Sequence, residues 1–320
     1  MSTKPQSEPG GGAGESFAAS VLMVRPRSFA ANPQTAPTNR FQTLAATDDS
    51  ERLRAQEEFD GLVNALVEAG IEVIVEEDTP EPEKPDAVFP NNWFSTHADG
   101  SAVLYPMLVP SRRAERRPEL LTGLRNRGFS LTAIVDLAGW ERHGLALEGT
   151  GSLALERRAR LAYVCRSPRS AEAPLVQWAR LMGYRVLSFA ATDGAGVAIY
   201  HTNVMLALGK GFALLGAECI ADADERREVI ASLEAGGREV IALSQEQIAG
   251  FGANALQLEG SRGAVIAMSN AARASLGPEA TKRLEHHGAI VAAPIPTIER
   301  YGGGSVRCML AEIFLPRTPV

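Results

Sequence analysis

The feature that most restricts what this chain can fold into is a recurring unit. A β-hairpin, a helix and a further strand follow one another at intervals of roughly 50–60 residues, the signature of a closed array. The first apolar run, Ser20-Val21-Leu22-Met23-Val24-Arg25-Pro26, reads as a strand stopped by proline. Residues 49–69 read as an amphipathic helix carrying Leu53, Phe59, Leu62, Val63, Leu66 and Val67, with Gly70 placed as its C-terminal glycine. A strand over 70–76 follows. Hairpins are then expected at 86–107, 152–166, 198–218 and 255–268, with helices at 113–127, 171–182, 222–235 and 271–286. Strands at 129–137, 184–189, 239–243 and 289–293 end these units, and a last strand covers 307–315. One helix outside each small sheet suits a cyclic α/β arrangement better than an all-β blade. Nothing between residues 20 and 316 resembles a linker, so residues 18–320 are expected to form one domain. Residues 1–17, rich in Gly, Ser and Pro and lacking an apolar stretch, read as a disordered leader rather than a secretory signal.

Charge and cysteine usage narrow the function. Thirty-two basic against thirty-eight acidic residues leave a formal charge of -6, which supplies no basic stripe for nucleic acid. No apolar run is long enough to span a bilayer. Cys165, Cys219 and Cys308 are far apart in sequence and have no zinc-ligand spacing. The expectation is a cytoplasmic, reducing environment, a small-molecule partner, and neither metal nor organic cofactor. Homo-oligomerisation is left open.

Five stretches mix polar and apolar residues at hairpin ends: DAVFPNNW (86–93), LEGTGSL (147–153), CRSPRS (165–170), YHTNVM (200–205) and GGGSVRCM (302–309). In a cyclic repeat such ends converge. Cys308, after three glycines, reads either as a thiolate nucleophile at a pocket wall or as a small buried hydrophobe. His201 reads as the proton shuttle of such a thiol or as a satisfied strand-end histidine. Glu148 is a candidate partner for a cationic nitrogen or an exposed turn acid. Asn91 and Asn92 either stitch their loop or face a polar ligand. Cys165 and Cys219 read as structural. His286 and His287 complement a helix end, and neither His97 nor His143 is kept as a ligand.

The motifs MVRPRSFAANPQTAPTNRFQ, DAVFPNNWFSTH, LEGTGSLALER, YHTNVMLALG and GGGSVRCMLAEIFLP, running from residue 23 to residue 316, resemble the pentein superfamily: arginine deiminases, dimethylarginine hydrolases, amidinotransferases and arginine dihydrolases. The branch of citrulline-utilisation hydrolases is the most similar. The resemblance implies a five-bladed α/β propeller of ββαβ repeats; the residues alone did not fix the count at five. It implies that Cys308 is the nucleophile, His201 the general acid/base and Glu148 the acidic member of a Glu-Gly motif. Arg169 takes the place of the arginine that holds the substrate's α-carboxylate. Asp86 matches an acidic residue opening the second repeat, grouped with the substrate-binding set and compatible with a structural role.

The chain departs from the deiminase pattern at Asn92 and Asn203, where deiminases carry aspartates that grip the guanidinium. Losing two carboxylates makes a buried guanidinium expensive and favours a neutral ureido group. The expected reaction is therefore hydrolysis of citrulline to ornithine. The alternatives are an arginine deiminase or dihydrolase, an amidinotransferase, and a non-catalytic ribosome-binding pentein.

Overall fold

The computed structural model describes residues 17–318. The leader assigned to residues 1–17 lies outside the described residues, Phe17 excepted.

The repeats form five three-stranded sheets among the described residues. The chain begins with β1 (Ser20–Arg25) and β2 (Glu72–Glu77). The second sheet holds β3 (Phe94–Thr96), β4 (Ser101–Leu104) and β5 (Ala133–Asp136). The third holds β6 (Leu153–Glu156), β7 (Leu161–Cys165) and β8 (Arg185–Phe189). The fourth holds β9 (Leu206–Leu208), β10 (Phe212–Leu215) and β11 (Glu239–Ala242). The fifth holds β12 (Leu256–Gly260), β13 (Gly263–Ser269) and β14 (Ala289–Ala293). In the last four sheets the middle strand pairs antiparallel with the strand before it and parallel with the strand after it. The first sheet has the same pattern but takes its antiparallel strand from the far end of the chain. There β15 (Ala311–Ile313) pairs with β1, Ser20 opposite Ile313, which closes the array. This is the five-unit pentein α/β architecture.

Burial explains the sequence of each strand type. The middle strands β1, β4 and β7 are almost wholly buried and read as continuous apolar runs, as strands covered on both faces should. Each parallel step needs a crossover: Asp49–Glu68, Glu172–Met182 and Ala223–Ala235 each supply one helix, and Asn270–Glu285 is broken into two at Gly277, φ 73°, just ahead of Pro278. The first begins with a capping box in which Asp48 accepts from the Glu51 amide and Glu51 accepts from the Asp48 amide. Removing such a cap costs about 1 kcal/mol. The helix buries Ala55, Phe59, Leu62 and Leu66, while Leu53 and Val67, expected on the same stripe, are exposed.

The hairpin read over 86–107 begins only at Phe94, because Pro90–Asn92 is a 3-10 turn, and further elements differ from expectation. The helix read over 113–127 is two short helices, Pro110–Arg113 and Pro118–Gly123, followed by a 3-10 turn at Leu124–Arg127. Pro118 cannot continue the preceding helix and instead starts a new one. The strand read over 307–315 shrinks to β15, because Val306–Met309 is one helical turn. The hairpin read over 198–218 begins only at Leu206, because Thr202–Val204 is a 3-10 turn.

These turns recur. Pro90–Asn92 precedes β3, Gly149–Ser152 precedes β6, Thr202–Val204 precedes β9 and Val306–Met309 precedes β15. The Gly149–Ser152 turn packs against those at Pro90–Asn92 and Thr202–Val204, and Val306–Met309 packs against Pro90–Asn92. Residues more than two hundred positions apart thus meet at one place.

Candidate active site

A single narrow cavity lies where the turns meet, lined by Asp86, Asn92, Arg169, His201 and Cys308 together with Arg112 and Gly302–304. Five of the seven expected site residues therefore share one cavity. Asn203 joins them by donating from Nδ2 to Cys308 Sγ at 3.4 Å. The seventh, Glu148, sits behind His201, fully buried, with its Oε2 2.8 Å from His201 Nε2. Among the described residues this free space is about 10 Å³, room for about one water, so the walls must shift to admit a substrate.

Two glycines in the Glu-Gly-Thr-Gly stretch make this packing possible. Gly149 has φ 45°, and a Cβ there would lie 2.4 Å from the Asn91 carbonyl oxygen. A Cβ on Gly151 would lie 2.2 Å from Asn92 Nδ2 and 2.7 Å from His201 Nδ1. Gly151→Ala should therefore push both side chains off their positions. Displacements of about 1 Å in an active site cost on the order of a hundredfold in rate. A kcat reduced by that order, with a cooperative melt close to that of the wild type, is the expected result; unchanged kcat would mean that neither Asn92 nor His201 needs this position.

Charge fixes the protonation of the His201–Glu148 pair. Burial raises the Glu148 pKa, but Arg169, the His201 hydrogen bond and Arg112 outweigh it and hold the carboxyl well below the usual range. Arg169 Nη1 is 3.3 Å and Arg112 Nη1 3.7 Å from Glu148 Oε2, while Oε1 accepts from the Leu108 amide. Burial drives His201 down to about 4, against the opposing pull of Glu148. An ionised carboxylate only accepts, so His201 carries its proton on Nε2 and presents a bare Nδ1. That nitrogen is the one beside Gly151.

The sulfur of Cys308 faces two amides. Besides Asn203, Asn254 donates from Nδ2 to Sγ at 3.3 Å and to the Asn203 carbonyl at 3.1 Å, while its Oδ1 accepts from the Arg307 amide at 3.0 Å. Asn254 is fully buried, and sequence reading did not single it out. Its signal was positional: it lies just ahead of β12, where the other units carry their polar turns.

Arg112 was also missed. It is buried, with Nε and Nη2 on the two oxygens of Glu115 at 2.9 and 2.8 Å. Its Nη1 donates to Asn92 Oδ1 at 2.9 Å, and its Nε lies 3.8 Å from Asp86 Oδ2. A guanidinium only donates, so Asn92 must turn its oxygen to Arg112 and its NH₂ away. That NH₂ has no partner among the described residues. Asp86 accepts from Asn32 Nδ2 at 2.8 Å through Oδ2, and its Oδ1 is buried without a partner. Burial raises the Asp86 pKa in spite of Arg112.

Arg169 is tied to the 32–39 segment through the Thr38 hydroxyl at 2.7 Å and the Thr35 carbonyl at 3.3 Å, and it lies over the Tyr200 ring. Tyr200 donates to the Gly303 carbonyl at 2.6 Å, and Gly303 has φ 62°. The remaining cysteines and histidines lie elsewhere. Burial pushes Cys165 up to about 12 and Cys219 up to about 11. His97 is buried in a cluster with Ser95 and Tyr105, where burial drives it down to about 3. Among the described residues no group of three or more His, Cys, Asp or Glu side chains is arranged to hold a metal ion. No helix there is long and apolar enough to cross a membrane.

Comparison with known proteins places this arrangement. Curated protein sequences give no significant match. Among solved structures, apo ArgZ, an arginine dihydrolase from the ornithine–ammonia cycle in cyanobacteria, superposes with a TM-score of 0.71 at 19% identity, over 94% of this chain. The chain spans only 41% of full-length ArgZ, but 99% of an isolated ArgZ N-terminal domain covalently bound to a reaction intermediate. An adduct of dimethylarginine dimethylaminohydrolase superposes with a TM-score of 0.62 at 16% identity, over 93% of this chain and all of the other. These likenesses concern the fold. A family model described as N,N dimethylarginine dimethylhydrolase, eukaryotic, matches residues 25–315. That match runs from the last residue of β1 to just beyond β15, so the chain belongs to the N,N dimethylarginine dimethylhydrolase family, within the pentein superfamily of guanidino-modifying enzymes.

Proposed function

We propose that the protein is a cysteine-dependent hydrolase of a ureido carbon–nitrogen bond, acting on citrulline to give ornithine, ammonia and carbon dioxide, as in the citrulline-utilisation branch. The observation that carries this reading is the Asn92 amide. With its oxygen held by Arg112, it offers the cavity an NH₂ and no carboxylate. A ureido oxygen accepts from that group; a guanidinium, which has only donors, does not.

In the proposed reaction His201 Nδ1 takes the thiol proton of Cys308, and Sγ bonds to the ureido carbon. The Asn203 and Asn254 amides stabilise the thiolate, and the ionised Glu148 stabilises the imidazolium. His201 passes the proton to the departing nitrogen, the carbon–nitrogen bond breaks, and ammonia leaves a thiocarbamate on Cys308. His201 then draws a proton from water, whose oxygen bonds to the carbon as the carbon–sulfur bond breaks. The carbamic acid released loses carbon dioxide to give ornithine. Arg169 anchors the α-carboxylate, and the unpartnered oxygen of Asp86 receives a substrate N–H. Glu148 acts through His201, to which it is hydrogen-bonded. No metal or organic cofactor takes part.

A second reading, an arginine dihydrolase, is favoured by one observation. The free Asp86 carboxylate oxygen would suit a guanidinium N–H, and ArgZ is an arginine dihydrolase. Steady-state kinetics on citrulline, arginine and N,N-dimethylarginine separate the readings. Citrulline is expected to have the highest kcat/KM; a larger value for arginine would transfer the assignment to the dihydrolase.

A further inference from the structure

A second and larger cavity, about 310 Å³, opens between the first strands of the units and reaches Phe17. Its walls come from β6, β9, β12 and β15, strands that pack on one another in part directly, β6 on β9 and β9 on β12. Thr150 and Asn203 also line it. Asn203 donates to Cys308, which lines the active-site cavity, so this pair of touching side chains separates the two cavities. The reaction proposed above makes no use of this second cavity.

Its charge is opposite to that of the chain. Arg157, Arg158, Lys210, Arg238 and Arg307 line it, against the two carboxylates Glu156 and Glu312, in a protein with a formal charge of -6. Arg157 and Arg307 share Glu312, at 3.9 and 3.1 Å. Arg158 and Lys210 have no carboxylate partner among the described residues, and both are exposed at the rim. Arg238 lies deeper. Its side chain is 9% exposed, its Nε donates to the Gly209 carbonyl at 3.0 Å, and it pairs with Glu156. Its Nη1 is buried and has no hydrogen-bond acceptor among the described residues. Its side chain nonetheless forms part of the cavity wall, so its charge adds to those of the rim.

We propose that this cavity is a binding site for a small multivalent anion, of the phosphate or dicarboxylate type, separate from the active site. Three surplus positive charges around one cavity suit a compact ligand with at least two negative charges. The volume admits a compact ion.

The test is thermal melting and calorimetry of the full chain with inorganic phosphate and, separately, succinate, each against sodium chloride at matched ionic strength. A specific anion should raise the melting temperature by roughly 2–3 °C beyond the chloride control at saturation. The two titrations show which of the two chemistries is preferred. Arg158→Glu/Lys210→Glu changes only exposed rim residues and should weaken the binding at least about tenfold, since it replaces two attractive charges by two repulsive ones. Cys308→Ser should bind the anion as the wild type does. Three results would overturn the proposal: no effect beyond chloride, equal binding by the charge-reversed variant, or phosphate and succinate competing with the amino-acid substrate.

Discussion

Cys308→Ser should lower turnover by about 10⁴-fold or more while the protein still folds, because a serine hydroxyl lacks the nucleophilicity of a thiolate in a site that provides only a neutral histidine as base. The fold should survive. The side chain is small and buried, and the Asn203 and Asn254 amides that now face sulfur can donate to a hydroxyl oxygen instead. Cys219→Ser is the control. Cys219 lies in the 3-10 turn Ala217–Cys219, outside both the cavity and its supporting shell, so its kcat should stay within about twofold of wild type. The measurement is initial rate with citrulline at fixed pH, alongside a melt for each variant. Full activity in Cys308→Ser would remove the nucleophile from the mechanism.

Asn92→Asp should shift substrate preference from citrulline toward arginine. Simple charge counting treats the new carboxylate as isolated, but the structure shows Arg112 beside it. Arg112 already faces Glu115, Asp86 and Glu148 within 4 Å, so it is surrounded by acid before the substitution. An aspartate at position 92 would keep the Arg112 contact through one oxygen and turn the other toward the cavity where the NH₂ now stands. A guanidinium gains an acceptor there and a ureido oxygen loses a donor. Changes of this kind move the kcat/KM ratio by about 1–3 kcal/mol, or roughly ten- to two-hundred-fold. The check is that ratio for the two substrates in wild type and variant at one pH; an unaltered ratio would mean that the Asn92 amide does not meet the substrate.

The repeat was legible because buried middle strands and capped crossover helices leave strong local patterns, as in Ser20–Arg25 and Asp49–Glu68. The number of units came from the family resemblance, since the first sheet borrows β15 from the other end of the chain and no local pattern announces that pairing. The helical turn holding Cys308 resembles strand because it runs without a break into the apolar Ile313-Phe314-Leu315; only Ala311–Ile313 finds a partner. Arg112 was hidden in the run Ser111-Arg112-Arg113-Ala114-Glu115-Arg116-Arg117, which resembles a solvated basic face. Its burial depends on Asp86, Asn92 and Glu148, which tertiary folding brings from other turns. Asn254 stands among Gly and Ala and resembles an ordinary turn residue until the ring places it against sulfur.

The central claim is that Cys308 cleaves the ureido carbon from its terminal nitrogen and that the carbamic acid released then loses carbon dioxide to leave ornithine. Its direct measurement is a product balance with citrulline labelled with ¹³C at the ureido carbon. The purified protein should release labelled carbon dioxide, ornithine and ammonia in equal amounts, and Cys308→Ser should release none. Citrulline left intact under conditions in which arginine is consumed, or citrulline accumulating from arginine as the final product, would contradict the account.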